Sequence, residues 1–155
     1  MLDVPSDAPY LWIALLVASA AILGAVLSLP AAPPPDADRV AGAIDDVSTT
    51  PHAAASTIPL DAERVRFGPQ TVSLSGPGGN DTAALRFGRV VPVRGGRLAM
   101  VLHGRSPRRV FSSALEYRRA LGRARERPGR WRRAPAGITV RRVRYGEVTS
   151  VLVGR

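Results

Sequence analysis

The chain has 155 residues, a net charge of +10 and no cysteine. That leaves room for one small domain beside a membrane segment and excludes disulfides, thiolate chemistry and Cys-ligated metal. All 22 basic residues are Arg, so the lysine of a phosphate-binding loop is excluded as well.

The first nine residues form an acidic tail, with Asp3 and Asp7 and no Arg or Lys. From Tyr10 to Leu29 no residue is charged, and at about 1.5 Å per residue that run matches the hydrocarbon core of a bilayer. A cleaved signal peptide starts with a basic region and carries a shorter apolar core, so residues 10–29 read as a retained transmembrane helix. Pro30 and the run Pro33-Pro34-Pro35 stop that helix. They open a linker over 30–60 that is rich in Pro, Ala, Asp, Ser and Thr. Inside it Val40, Ala43, Ile44 and Val47 recur at helical spacing and mark a short amphipathic helix over 38–47. Residues 48–59 read as a flexible spacer.

A folded basic domain is expected over 61–155. Val65 and Phe67, Val72 and Leu74, Leu85 and Phe87, and Leu98, Met100 and Leu102 alternate with polar or small residues, as half-buried strands of a meander do. The runs are punctuated by Gly76-Pro77-Gly78-Gly79 and by Gly95-Gly96, the latter a two-residue hairpin signal. Ser113 and Glu116 have capping-box spacing and open a helix faced by Ala114, Leu115, Leu121 and Ala124, with Tyr117 beside them. Pro128-Gly129 ends it. Ile138 and Val140 start a strand that Val143 continues across a bulge. Tyr145-Gly146 turns a hairpin that sets Arg144 opposite Glu147. The stretch from Val148 to Val153 is apolar on both faces and therefore central. The fold class is α+β: a small antiparallel sheet with one helix packed on it and a C-terminal hairpin, behind an N-terminal transmembrane helix and a Pro-rich linker.

The charge is divided along the chain. Residues 1–63 carry eight acids against Arg39 alone, and residues 64–155 carry 21 Arg against Asp81, Glu116, Glu126 and Glu147, a net of +17. Such a basic half attracts polyanions: nucleic acid, acidic lipid or an acidic protein face. Catalytic templates find little. Gly76–Gly79 is a hairpin tip, His52 and His103 stand without ligand or triad spacing, and four acids supply no paired carboxylates. The expectation is a non-enzyme with no catalytic residue, no metal and no cofactor, and without a small-molecule substrate. The candidate polyanion-binding residues are Arg118, Arg119, Arg123, Arg125 and Arg127 on the helix, then Arg130, Trp131, Arg132 and Arg133. Arg beside an aromatic suits phosphate contact with stacking, and equally a lipid headgroup layer. The competing reading is a solvated helix face with Trp131 packed in the core, and the core is where Trp131 is expected. Asn80-Asp81-Thr82 is a glycosylation sequon on an expected loop. No Arg or Lys precedes the span and only Arg39 follows it closely, so positive-inside counting is nearly silent. The stalk-like spacer and the sequon favour a domain outside the cell membrane.

Several short motifs join these features: Leu29-Pro30 followed by Pro33-Pro34-Pro35-Asp36, Pro51-His52, Arg66-Phe67-Gly68-Pro69, Arg86-Phe87-Gly88, and Arg130-Trp131 ahead of a closing hairpin. In them, and in its acidic start before a single span, the chain resembles small single-span membrane proteins of haloarchaea with no assigned function. The resemblance implies a surface-exposed accessory protein, associated with pilus-like or secretion machinery. The basic domain departs from it, since such proteins usually carry acidic surfaces. The expected function is a membrane-anchored interaction or assembly module that meets membrane lipid and an acidic protein partner. The alternative is a cytoplasm-facing, membrane-tethered binder of nucleic acid or anionic lipid through the Arg-rich face.

Overall fold

The computed structural model describes residues 8–27, 32–50, 54–127 and 129–155, and the chain divides into two compact units at residues 31 and 32. Asp3 and Asp7 of the acidic tail, Leu29 and Pro30 at the end of the expected span, Pro51-His52 and Pro128 lie outside the described residues.

The first unit holds α1, Ala8–Leu27. Its segment Pro9–Leu27 has a mean hydropathy of 2.3, and it is the one described helix long and apolar enough to cross a membrane. Its large side chains, from Tyr10 and Trp12 to Leu27, are all exposed within this unit. Twenty residues at about 1.5 Å each span about 30 Å, the thickness of a hydrocarbon core.

The second unit begins with α2, Ala37–Thr49. Asp36 caps it by accepting from the Arg39 amide at 2.8 Å, and Asp81 accepts from the Ala37 amide at 2.8 Å. Both carboxylates satisfy orphan donors of the first turn. Ala37, Val40, Ala41, Ile44 and Val47 are buried along one stripe. β1, Ala55–Pro59, then pairs antiparallel with β7, Gly137–Tyr145. The linker expected over 30–60 is therefore corrected. Its larger part is built into the domain, which starts near residue 32 and not at Asp61. The amphipathic stripe of α2 has a sheet to bury against, and a polar composition on its outer face concealed this.

The remaining elements are β2 (Arg64–Phe67), β3 (Thr71–Gly76), β4 (Gly79–Ala84), β5 (Val90–Pro92), α3 (Arg97–Leu102), α4 (Pro107–Val110), α5 (Ala114–Arg125), β6 (Arg132–Arg133), β7 and β8 (Val148–Gly154). They form two four-stranded sheets, ordered β1-β7-β8-β5 and β4-β3-β2-β6. Every pairing is antiparallel except β5 with β8. The fold is α+β, with the expected meander at β2–β4 and the expected C-terminal hairpin at β7–β8.

Two apolar clusters use opposite faces of the first sheet. Ile138, Val140, Val151 and Val153 join α2 and the second sheet. Val143 and Leu152 join α3, α5 and Phe111 on the other side. β8 is thus buried on both faces, as its unbroken apolar run requires. β7 needs no bulge to accommodate Val143. Its pairing with β8 is continuous from Thr139 to Tyr145, and the change of buried parity marks where the helices take over from the second sheet.

Other expectations are corrected. Leu98, Met100 and Leu102 lie on helix α3, where Leu98, Val101 and Leu102 are buried and Met100 is exposed; the neighbouring Val101 turns an apparent alternation into a helical stripe. Gly95-Gly96 leads into that helix and makes no hairpin. Leu85 is buried but Phe87 is exposed, and the chain there is not a strand. Asp45 holds it instead, accepting from the amides of Arg86 at 3.0 Å and Phe87 at 3.1 Å. Leu115 of α5 is exposed. Arg144 pairs with Thr149 across the hairpin, because the turn is Gly146-Glu147.

Candidate functional site

β6 is two residues long and lies on the edge of the second sheet, with Arg132 opposite Val65 and Arg133 opposite Arg64 of β2. The preceding loop crosses the end of β2 closely. A Cβ on Gly129 would sit 2.5 Å from the Phe67 carbonyl oxygen, so only glycine fits there. Together with the segment after β5 and the end of β8, these elements enclose a cleft of about 360 Å³.

The cleft has two kinds of wall. Val65, Ile138 and Val153 form a buried apolar floor, with Phe67 and Val93 partly exposed beside them. Arg94, Arg130, Arg132, Arg133 and Arg155 form the rim. Among the described residues no Asp, Glu or His side chain lines it; Glu63 and Glu126 line adjoining depressions. Partial burial, followed by the charges of Arg132, Arg127 and Arg130, pushes the Arg94 guanidinium below its ordinary pKa. The cluster is therefore a focus of positive potential over apolar surface.

The structure sorts the residues expected from sequence. Arg130, Arg132 and Arg133 line this cleft. Arg125 and Arg127 line an adjoining depression that shares Phe67 and Pro92 with it, and Arg123 and Arg127 line another that shares Gly95. Arg118 and Arg119 are exposed on α5 and line none of these hollows. Sequence reasoning missed Arg94 and Arg155. Arg94 ends an apolar strand ahead of a glycine pair, a visible local signal. Its approach to the β6 arginines depends on the parallel pairing of β5 with β8, which no local pattern encodes.

Trp131 is corrected. It is half-buried and belongs to neither core cluster. The guanidinium carbons of Arg64 and Arg66 lie 5.7 and 5.1 Å from its ring centroid. Residues 64 and 66 share one face of β2, and the loop just before β6 brings the ring to them.

Asn80 is exposed, on β4 next to the Pro77-Gly78 hairpin tip and not in a loop. The Thr82 hydroxyl of its sequon donates to the Ser73 hydroxyl at 3.0 Å. His103 Nε2 lies 3.1 Å from the Arg155 carbonyl oxygen. Among the described residues no group of three His, Asp or Glu side chains could hold a metal ion.

An arginine-rimmed cleft on a small α+β unit, carried behind one helix long enough to cross a membrane, defines the class of protein. The chain belongs to DUF7283, a family of unknown function, whose match covers residues 3–143. That span includes α1, both sheets up to most of β7, and four of the five rim arginines, leaving Arg155 beyond it. No curated protein and no solved structure matches the chain.

Proposed function

We propose that the protein is a single-pass, membrane-anchored binding module that holds an anionic partner in the arginine-rimmed cleft. The observation that carries this reading is the lining: five arginines and, among the described residues, no Asp or Glu side chain around an apolar floor. Guanidinium forks match carboxylate and phosphate oxygens in a bidentate geometry, and an anion relieves the mutual repulsion of the cluster. A cleft lined by no described acidic or imidazole side chain suits binding better than side-chain proton transfer.

The side of the membrane follows from fewer cues than the sequence offered. The stalk that favoured an outer domain is folded into α2 and β1. The exposed Asn80 sequon still favours it. An assembly role on the outer face, in keeping with the likeness to single-span haloarchaeal proteins, remains our reading. Protease shaving of intact cells tests it: an outer domain is cleaved along with a known surface protein, and a domain that survives intact overturns the outward placement.

The binding reading has its own test. The full chain in phosphatidylcholine nanodiscs should be retained on a sulfated-polyanion column and elute at lower salt when Arg94→Gln and Arg132→Gln are combined. Elution at the wild-type position would remove the cleft from the function.

A further inference from the structure

The composition of the cleft specifies more than an anion. A simple anion needs donors alone, and exposed arginines anywhere on α5 would serve. Here the arginines share the cleft with the partly exposed apolar residues Phe67, Pro92, Val93 and Pro135, over the buried Val65, Ile138 and Val153. The volume of about 360 Å³ falls in the range of small-ligand sites, about 300–1,000 Å³. It exceeds what one phosphate needs.

We propose, resting on the binding reading above, that the cleft takes a phosphate group carried on an apolar chain: the phosphate of an anionic phospholipid. Arg94, Arg130 and Arg132 hold the phosphate oxygens. The partly exposed Phe67, Pro92, Val93 and Pro135, backed by the buried Val65, Ile138 and Val153, cover the apolar part next to them. Two observations favour this partner over others. The chain carries α1, a helix long and apolar enough to cross a bilayer, so phospholipid is a constant neighbour of the protein. Nucleic acid is read by an extended basic groove with aromatic platforms for the bases. Here the one aromatic of the basic loop, Trp131, is already engaged by Arg64 and Arg66. An acidic protein face needs a broad complementary surface, whereas the apolar floor lies inside a concavity.

The test uses the full chain in non-ionic detergent, titrated with water-soluble dioctanoyl phosphatidic acid by calorimetry. Saturable one-to-one binding is expected. The Arg94→Gln/Arg132→Gln pair should weaken it at least tenfold, and the Arg118→Gln/Arg119→Gln pair, outside the cleft, should leave it within twofold. Inorganic pyrophosphate, which has the charge without the chain, should bind at least tenfold more weakly. Equal affinity for pyrophosphate would overturn the lipid source, because the apolar floor would then contribute nothing. Cleft-dependent binding of a poly-glutamate peptide or an oligonucleotide, with no response to phosphatidic acid, would overturn this inference and leave the anion-binding reading standing. If no anion binds, both fall together.

Discussion

Arg66 places its guanidinium carbon 5.1 Å from the centroid of the Trp131 ring, and Arg64 stands 5.7 Å away on the same strand face. The contact fastens the loop before β6 to β2, and β6 supplies two rim arginines of the cleft. A fully buried Trp replaced by Ala costs about 3–5 kcal/mol. A half-buried ring held by cation–π contacts contributes less, about 1–2 kcal/mol. Trp131→Ala should therefore melt cooperatively with a loss near the lower range while weakening anion binding through a looser β6. A loss of core size in denaturant titration would contradict the half-buried placement.

Ile44 tests where the domain begins. It is fully buried on α2 among residues of both sheets. Ile44→Ala should remove about 2–5 kcal/mol. The same truncation in a flexible spacer would change stability by no more than about 0.5 kcal/mol. Asp45→Ala gives an independent reading, since it removes the acceptor of the part-buried Arg86 and Phe87 amides, a loss of about 1 kcal/mol for each hydrogen bond. Unchanged denaturation midpoints in both variants would restore the linker.

These residues also show what was legible in the sequence and what was not. Strand parity at Val65, Val72 and Leu74, the glycine tip at Gly76–Gly79, the Ser113 cap and the two-faced run of β8 are local patterns, and each appears where its pattern predicts. The helical stripe of Val40, Ile44 and Val47 was legible too, but its burial was not. Burial needs a partner surface, and that surface is built from strands far along the chain. Leu98, Met100 and Leu102 misled because a six-residue helix and a short strand share the same few apolar positions. The cleft followed the same division. Arg130, Arg132 and Arg133 stood out as a run, while Arg94 joined them only through the long-range topology of β5 and β8.

Tyr117 and Ser150 form a buried hydroxyl pair at 2.7 Å between α5 and β8. Tyr117→Phe leaves the Ser150 hydroxyl without its partner in an apolar cluster. The expected loss is about 1–3 kcal/mol, larger than the net worth of an ordinary hydrogen bond, because an orphaned polar group keeps its desolvation penalty. Adding Ser150→Ala should recover part of the loss. A double mutant whose loss equals the sum of the two single losses, measured by chemical denaturation, would show that the pair is not coupled.

Glu116 makes the stability of the helical layer depend on pH. Its carboxylate accepts from the Ser112 hydroxyl at 2.7 Å and the Ser112 amide at 2.9 Å, and it pairs with Arg97. Those hydrogen bonds from Ser112, then the one from Arg97, lower its pKa from 4.5 to about 2. A folded-state pKa below the unfolded one means that the folded state holds its proton less tightly. The contribution is therefore complete above pH 4.5 and disappears as the pH falls toward 2. Glu116→Gln should be less stable than the wild type at pH 6, and the two should converge near pH 2. Unfolding free energies measured across that interval check the sign. A difference that stays constant, or grows on acidification, would show that the Ser112 and Arg97 contacts do not hold the ionised form.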